Sequence, residues 1–303
     1  YTIQDHLHKL IFHFHYLAES KEINEVEILQ TMANNNCYFG LDIGTKADDL
    51  LYRQSCVDKA IANINDYEIA QKVRSFMYFS AGIWPSTDEI TNRHQRIELL
   101  KQQIQQANES KDNDTLHRKI IAIGECGLDH HWNPSGVDGR CENDFDTQMF
   151  LGEKELFQMQ LQLAKELNLP VIVHSRDAFE DTLDCIKKVG YHNGIIHCYS
   201  YGIEEAKAFL DLGWHISFSG SVTYAKKSKI EEMLSLIKSI PTDKLLCETD
   251  APYLAPVPCR GQTNIPPLVE HTYNFVANAR GITTQELCQI VDSNIKKLFN
   301  VTV

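Results

Sequence analysis

Short apolar runs alternate with longer amphipathic stretches along almost the whole chain, and no other feature limits the possible folds so strongly. The apolar runs are Lys9–Phe12, Tyr38–Ile43, Phe76–Ala81, Lys119–Gly124, Pro170–Val173, Gly194–Ile196, Trp214–Phe218 and Lys244–Cys247. Each is short enough for a buried strand and is followed by residues with helical spacing, which is the rhythm of repeated βα units. After the second run, Ile61, Ile64, Ile69 and Val73 recur as one helix face. Lys154–Leu167 is the clearest helix: Leu156, Phe157, Leu161, Leu163, Ala164 and Leu167 form its apolar stripe, and Asn168-Leu169-Pro170 stops it. Eight units predict an α/β fold, a (β/α)8 TIM barrel, and 303 residues suit one such domain spanning 1–303. Asn133–Asp146 and Asn108–Asp114 are expected to be loops, since both are rich in polar and turn-forming residues.

In a barrel of this kind the functional side chains gather where the strands end. Here those ends carry metal-ligand chemistry. The first run leads into His13-Phe14-His15, the fourth into Glu125, the fifth into His174, the sixth into His197, and the eighth into Glu248-Thr249-Asp250. Residues two apart on a strand face the same way, so His13 and His15 can grip one cation together. A carboxylate such as Glu125 has two oxygens and can bridge two. Imidazole and carboxylate are what Zn²⁺, Mn²⁺ or Mg²⁺ accept, and four histidines with two carboxylates suffice for two cations with positions left for water and substrate. A single histidine at a strand end is more often a hydrogen-bonded structural residue. Five strand ends supplying ligand types together favour a site. His94, His117, His192, His215 and His271 keep the structural reading, and His130 and His131 stay open.

Charge narrows the partners. A formal net charge of -12 excludes a protein that coats nucleic acid by bulk electrostatics, which needs clustered Lys and Arg. A pair of bound cations can still make one cleft of an acidic protein locally positive. The nine cysteines include no CxxC pair, which removes support for a zinc knuckle and suits a reducing compartment. No apolar stretch spans a membrane and no signal-peptide pattern opens the chain, so the cytoplasm is the expected location.

The motifs themselves resemble a known family. Ile123-Gly124-Glu125-Cys126-Gly127-Leu128-Asp129, Pro170-Val171-Ile172-Val173-His174-Ser175-Arg176-Asp177-Ala178, Ile196-His197-Cys198-Tyr199-Ser200, Ser217-Phe218-Ser219-Gly220 and Glu248-Thr249-Asp250-Ala251-Pro252-Tyr253-Leu254-Ala255-Pro256 resemble, in order, the signature segments of TatD-like metal-dependent deoxyribonucleases. That resemblance implies a first metal held by His13, His15, Glu125 and Asp250, and a second by Glu125, His174 and His197. It implies Asp250 and Glu125 as catalytic residues, with Asp250 orienting or deprotonating the attacking water. Arg176, Arg260 and Asn264 would meet the substrate. The implied cofactors are two divalent ions (Mg²⁺, Mn²⁺ or Zn²⁺), and the implied substrate is DNA, at 3′ ends or short single strands. Three positions depart from the family pattern: Ile11 stands where Asp is usual, while Trp84 and Cys259 stand where His is usual.

Two rival readings share the barrel. A metal-dependent amidohydrolase or esterase, such as an aminoacyl-tRNA deacylase, uses the same metal-activated water. A non-catalytic metal-binding barrel would follow from decay of the site, with Ile11 as its one sequence argument. His6-Leu7-His8 is a second HxH pair, but the apolar run Leu10-Ile11-Phe12 leads directly into His13 and His15. Replacing both His13 and His15 is therefore expected to abolish binding at the first metal site in a titration, while replacing His6 and His8 leaves it nearly intact; the opposite pattern would shift the register of the first strand.

Overall fold

The computed structural model describes residues 9–12, 24–109, 120–131 and 146–301. His13, His15, His6, His8 and His117 lie outside the described residues, as do most of the loops expected at 108–114 and 133–146. Eight parallel strands pair in chain order: β1 (Lys9–Phe12), β2 (Phe39–Asp42), β3 (Met77–Ala81), β4 (Ile120–Asp129), β5 (Val171–Arg176), β6 (Gly194–Ile196), β7 (His215–Phe218) and β8 (Leu245–Cys247). With helices following the strands, this is a (β/α)8 barrel. The strands read as continuous apolar runs because a parallel sheet is covered on both faces. Phe39, Leu41, Phe79, Val171, Val173, Ile195, Ile216, Phe218 and Leu245 are all buried.

Two expectations need correction. Ile61 and Val73 do not share a helix: one helix runs Leu50–Ala62 and a second Tyr67–Phe76, with Ile64 between them. Asp66 starts the second by accepting the backbone N–H groups of Glu68 and Ile69, a capping bond that competes with continuing the first helix. The helix expected at Lys154 begins at Thr147, because Asp146 caps it through the N–H of Met149, and it ends on Asn168 in the left-handed region. No helix among the described residues is long and apolar enough to cross a membrane.

β4 is where the strand reading most affects the site. It continues past Gly124 to Asp129, so Glu125 sits inside the strand rather than beyond its end. Between the pairs Ile123↔Val171 and Cys126↔Val173 the register shifts by one residue, a bulge that carries Glu125. Gly124 and Gly127 flank it at φ +136° and +145°, where side chains are rarely tolerated. A Cβ on Gly127 would lie 1.9 Å from the carbonyl oxygen of His174, so β4 and β5 approach this closely only with glycine there.

One ion network fastens the first half of the barrel. Arg53 is fully buried; its Nε donates to Asp49 Oδ1 (2.8 Å), Nη1 to Asp42 Oδ2 (3.1 Å), and Nη2 to the Ser80 carbonyl (2.6 Å). Burial opposes its charge, yet Asp49 and Asp42 raise its pKa. The helix carrying Arg53 is thereby tied to the ends of β2 and β3. Arg53→Met leaves Asp42 buried without its cation and is expected to cost about 3–5 kcal/mol in urea unfolding; the added change Asp42→Asn should recover part of that loss, and a cost below about 1 kcal/mol would remove the network from the stability argument.

Candidate metal centre

Glu125, His174 and His197 come together although they belong to three neighbouring strands. Glu125 stands on the β4 bulge, His174 lies within β5, and His197 directly follows β6. His174 Nδ1 is 2.9 Å and His197 Nε2 is 3.0 Å from the same oxygen, Glu125 Oε1. Each residue offers one ligand atom, and the three atoms lie within 4.8 Å of one another. Backbone contacts set this convergence: the Glu125 N–H donates to Gly44 O (2.7 Å), and the His197 N–H donates to Val173 O (3.0 Å).

The far sides of both rings also face carboxylates. His174 Nε2 is 3.1 Å from Asp129 Oδ2, and His197 Nδ1 is 3.3 Å from Glu248 Oε1. Burial opposes a charge on His174, but Asp129 and Glu125 raise its pKa to about 9. Burial likewise opposes charge on His197, which Glu125 and Glu248 nonetheless raise well above the ordinary histidine value. Glu125 itself is pushed up by burial and held well below the usual carboxylate range by His197 and His174. Surroundings of this kind call for positive charge between the three residues. Two imidazole nitrogens and one carboxylate oxygen at these separations fit a divalent cation, with the imidazoles then neutral.

The other residues named from the sequence occupy varied places. Asp250 follows β8 by three residues, in the left-handed region at φ 58°, and is not part of the close trio. Its turn is clamped: Asn264 Nδ2 donates to Thr249 O (2.7 Å) and Tyr253 O (2.6 Å), so the buried Asn264 amide holds the loop from both sides of Asp250. Arg176 spends its fork on Asp129, through Nε (2.8 Å) and Nη2 (2.7 Å). Arg260 is exposed and stacks over the Tyr224 ring at 4.3 Å. Trp84 meets the His174 ring edge-on at 6.0 Å. Of the two open histidines, His130 lies 3.3 Å from Glu153, and His131 pairs with exposed Asp177 at 2.7 Å. His215 is buried, 3.3 Å from the Gly194 carbonyl.

Sequence reading attached no role to Asp129 or Glu248, the two carboxylates behind the histidines. Their signal was present as acidic residues within the motifs that contain Glu125 and Asp250, but nothing in the spacing says which ring each one meets. If the trio takes up a divalent cation, saturating Zn²⁺ or Mn²⁺ should raise the unfolding temperature of metal-stripped protein. At a hundredfold excess over Kd the gain is about 2.7 kcal/mol. Glu125→Gln should abolish the shift, and an equal shift in that variant would move the cation elsewhere.

Comparison with known proteins gives the family and the fold. Residues 12–300 match the family described as TatD related DNase. The uncharacterized metal-dependent hydrolase YabD of Bacillus subtilis (strain 168) is 33% identical over 247 residues, covering 81% of this chain and 83% of that protein. The uncharacterized metal-dependent hydrolase YcfH of Escherichia coli (strain K12) is 39% identical over 184 residues, 60% of this chain and 63% of that one. The chain thus spans less than two thirds of YcfH and more than two thirds of YabD. Among solved structures, the TatD homolog YJJV from Escherichia coli K12 superposes with a TM-score of 0.74 at 24% identity, over 99% of this chain and 100% of that one. A sequence match across nearly its whole length assigns the chain to the TatD-related DNase family.

Proposed function

We propose that this protein is a metal-dependent hydrolase that cleaves phosphodiester bonds in DNA, acting at 3′ ends or on short single strands. The observation that carries the reading is the single Glu125 oxygen shared by His174 and His197. The family description supports the substrate class. In this reading residues 1–303 form one barrel domain, Glu125, His174 and His197 hold one divalent cation, and His13, His15, Glu125 and Asp250 hold another. Bound there, such cations lower the pKa of water and neutralise charge on the transferring phosphoryl group.

The chain's own residues supply the remainder. Asp250 accepts the proton of the attacking water, and the Asn264 clamp on Thr249 and Tyr253 keeps its turn from adjusting. A general base gains from being held still, because misplacement costs rate. Arg260, exposed on the Tyr224 ring, is available to a phosphate. Arg176 is half-exposed, and its guanidinium can meet a phosphate only by loosening its fork on Asp129. An overall charge of -12 leaves little long-range attraction for a polyanion, so binding is short and local.

Asp250→Asn keeps the shape and removes the basicity. Folded Asp250→Asn protein, assayed on 3′-recessed DNA at saturating metal, is expected to turn over about 10²–10⁴-fold more slowly than wild type. Near-wild-type hydrolysis by that variant would take Asp250 out of the mechanism. An esterified tRNA run beside the DNA tests the substrate class: hydrolysis of the ester with intact DNA would replace the nuclease reading with deacylation.

A further inference from the structure

We propose that Glu248 and Asp129 are positioning residues that present opposite ring nitrogens of the two histidines to the Glu125 oxygen, Nε2 of His197 and Nδ1 of His174. The proposal rests on the reading that Glu125, His174 and His197 hold a cation. An imidazole can ligate only through a nitrogen that carries no proton, and a neutral ring then carries its proton on the other nitrogen. That second N–H needs an acceptor, or a half-turn of the ring becomes as favourable as the ligating pose. Orienting partners of this sort are commonly carboxylates.

Both rings have such a partner, and each partner is held by other parts of the fold. Glu248 is fully buried directly after β8, and its Oε1 lies 3.3 Å from His197 Nδ1. The same oxygen accepts the backbone N–H of Cys198, the next residue after the ring it orients. Asp129, also fully buried, closes β4; its Oδ2 lies 3.1 Å from His174 Nε2. The Arg176 fork and the backbone N–H of His131 (3.1 Å to Oδ1) hold that carboxylate. The arrangement is therefore the same twice with the ring reversed.

A purely structural account of Glu248 is weaker. If its task were only to cap the Cys198 N–H, a neutral acceptor would serve without burying a charge. Instead the carboxylate keeps a buried Oε2 with no hydrogen-bond partner among the described residues. Burying a carboxylate oxygen is costly. The cost is offset where a neighbouring ring must be made a better electron donor.

Two measurements decide the matter. In Zn²⁺-loaded wild-type protein, long-range ¹⁵N–¹H spectra of the histidines should show His197 protonated on Nδ1 and His174 on Nε2; the reverse tautomer at either ring overturns the proposal. Glu248→Gln can turn its NH₂ toward Nδ1, and Asp129→Asn can do the same toward Nε2, which favours the non-ligating tautomer. Each should weaken Zn²⁺ binding about 10–100-fold, with the metal-stripped variant still unfolding cooperatively. Unchanged affinity in folded Glu248→Gln overturns the role of Glu248, and should either variant fail to fold, the wild-type tautomers decide. Wild-type protein that takes up no Zn²⁺ also overturns it. Neither readout involves nucleic acid, so loss of this proposal and loss of the nuclease reading give different results.

Discussion

Two histidine nitrogens from adjacent parts of the sheet reach one carboxylate oxygen at 2.9 and 3.0 Å, in a place from which water is largely excluded. Such a meeting is unfavourable unless positive charge sits among the three groups, as protons or as a cation. Much of the surrounding structure follows from that demand. The β4 bulge turns Glu125 toward the rings, and Asp129 and Glu248 stand behind them. With protons alone, the site is a cluster of buried ion pairs whose desolvation is poorly repaid. With a divalent cation, the same groups become ligands and their supports.

Charge around the site is paired locally. The chain carries a formal charge of -12, and the basic groups beside the trio are bound to acidic or aromatic neighbours. Arg176 is tied to Asp129, and Asp129 is tied to His174, so a half-exposed guanidinium communicates with a partly buried ring through one carboxylate. Arg260 rests on an aromatic face, the Tyr224 ring.

How much of this could be read from the residues depends on the kind of interaction. The eight strands were visible because each is an apolar run bounded by helical spacing, and the observed limits differ mostly at the ends. Glu125 was expected just past its strand, whereas it lies within it: a bulge is a matter of register against β5, and no periodicity in β4 alone reveals it. The flanking Gly124 and Gly127 were the available clue. The break between Ala62 and Tyr67 was hidden by the apolar spacing of Ile61, Ile64, Ile69 and Val73, although Asp66 is a residue type that starts helices. A substrate role for Asn264 and Arg176 was expected from the family resemblance and not from any spacing. Which group an amide or a guanidinium meets depends on folding between distant segments, and here Asn264 holds the loop around Asp250 while Arg176 grips Asp129.

Gly124 and Gly127 also govern how such a chain can drift over generations. Most substitutions in a barrel strand exchange one apolar side chain for another, and neighbours repack at modest cost. At these two positions the smallest possible change, to alanine, sets a new carbon 2.6 Å from the Ile172 carbonyl oxygen or 1.9 Å from that of His174. Neither obstacle is a side chain that can swing aside; both are backbone of the strand that carries His174. Mutational paths through β4 are therefore blocked at both flanks of Glu125, even where the surrounding apolar residues wander freely. A lineage that lost either glycine would have to rebuild two strands at once to regain the site.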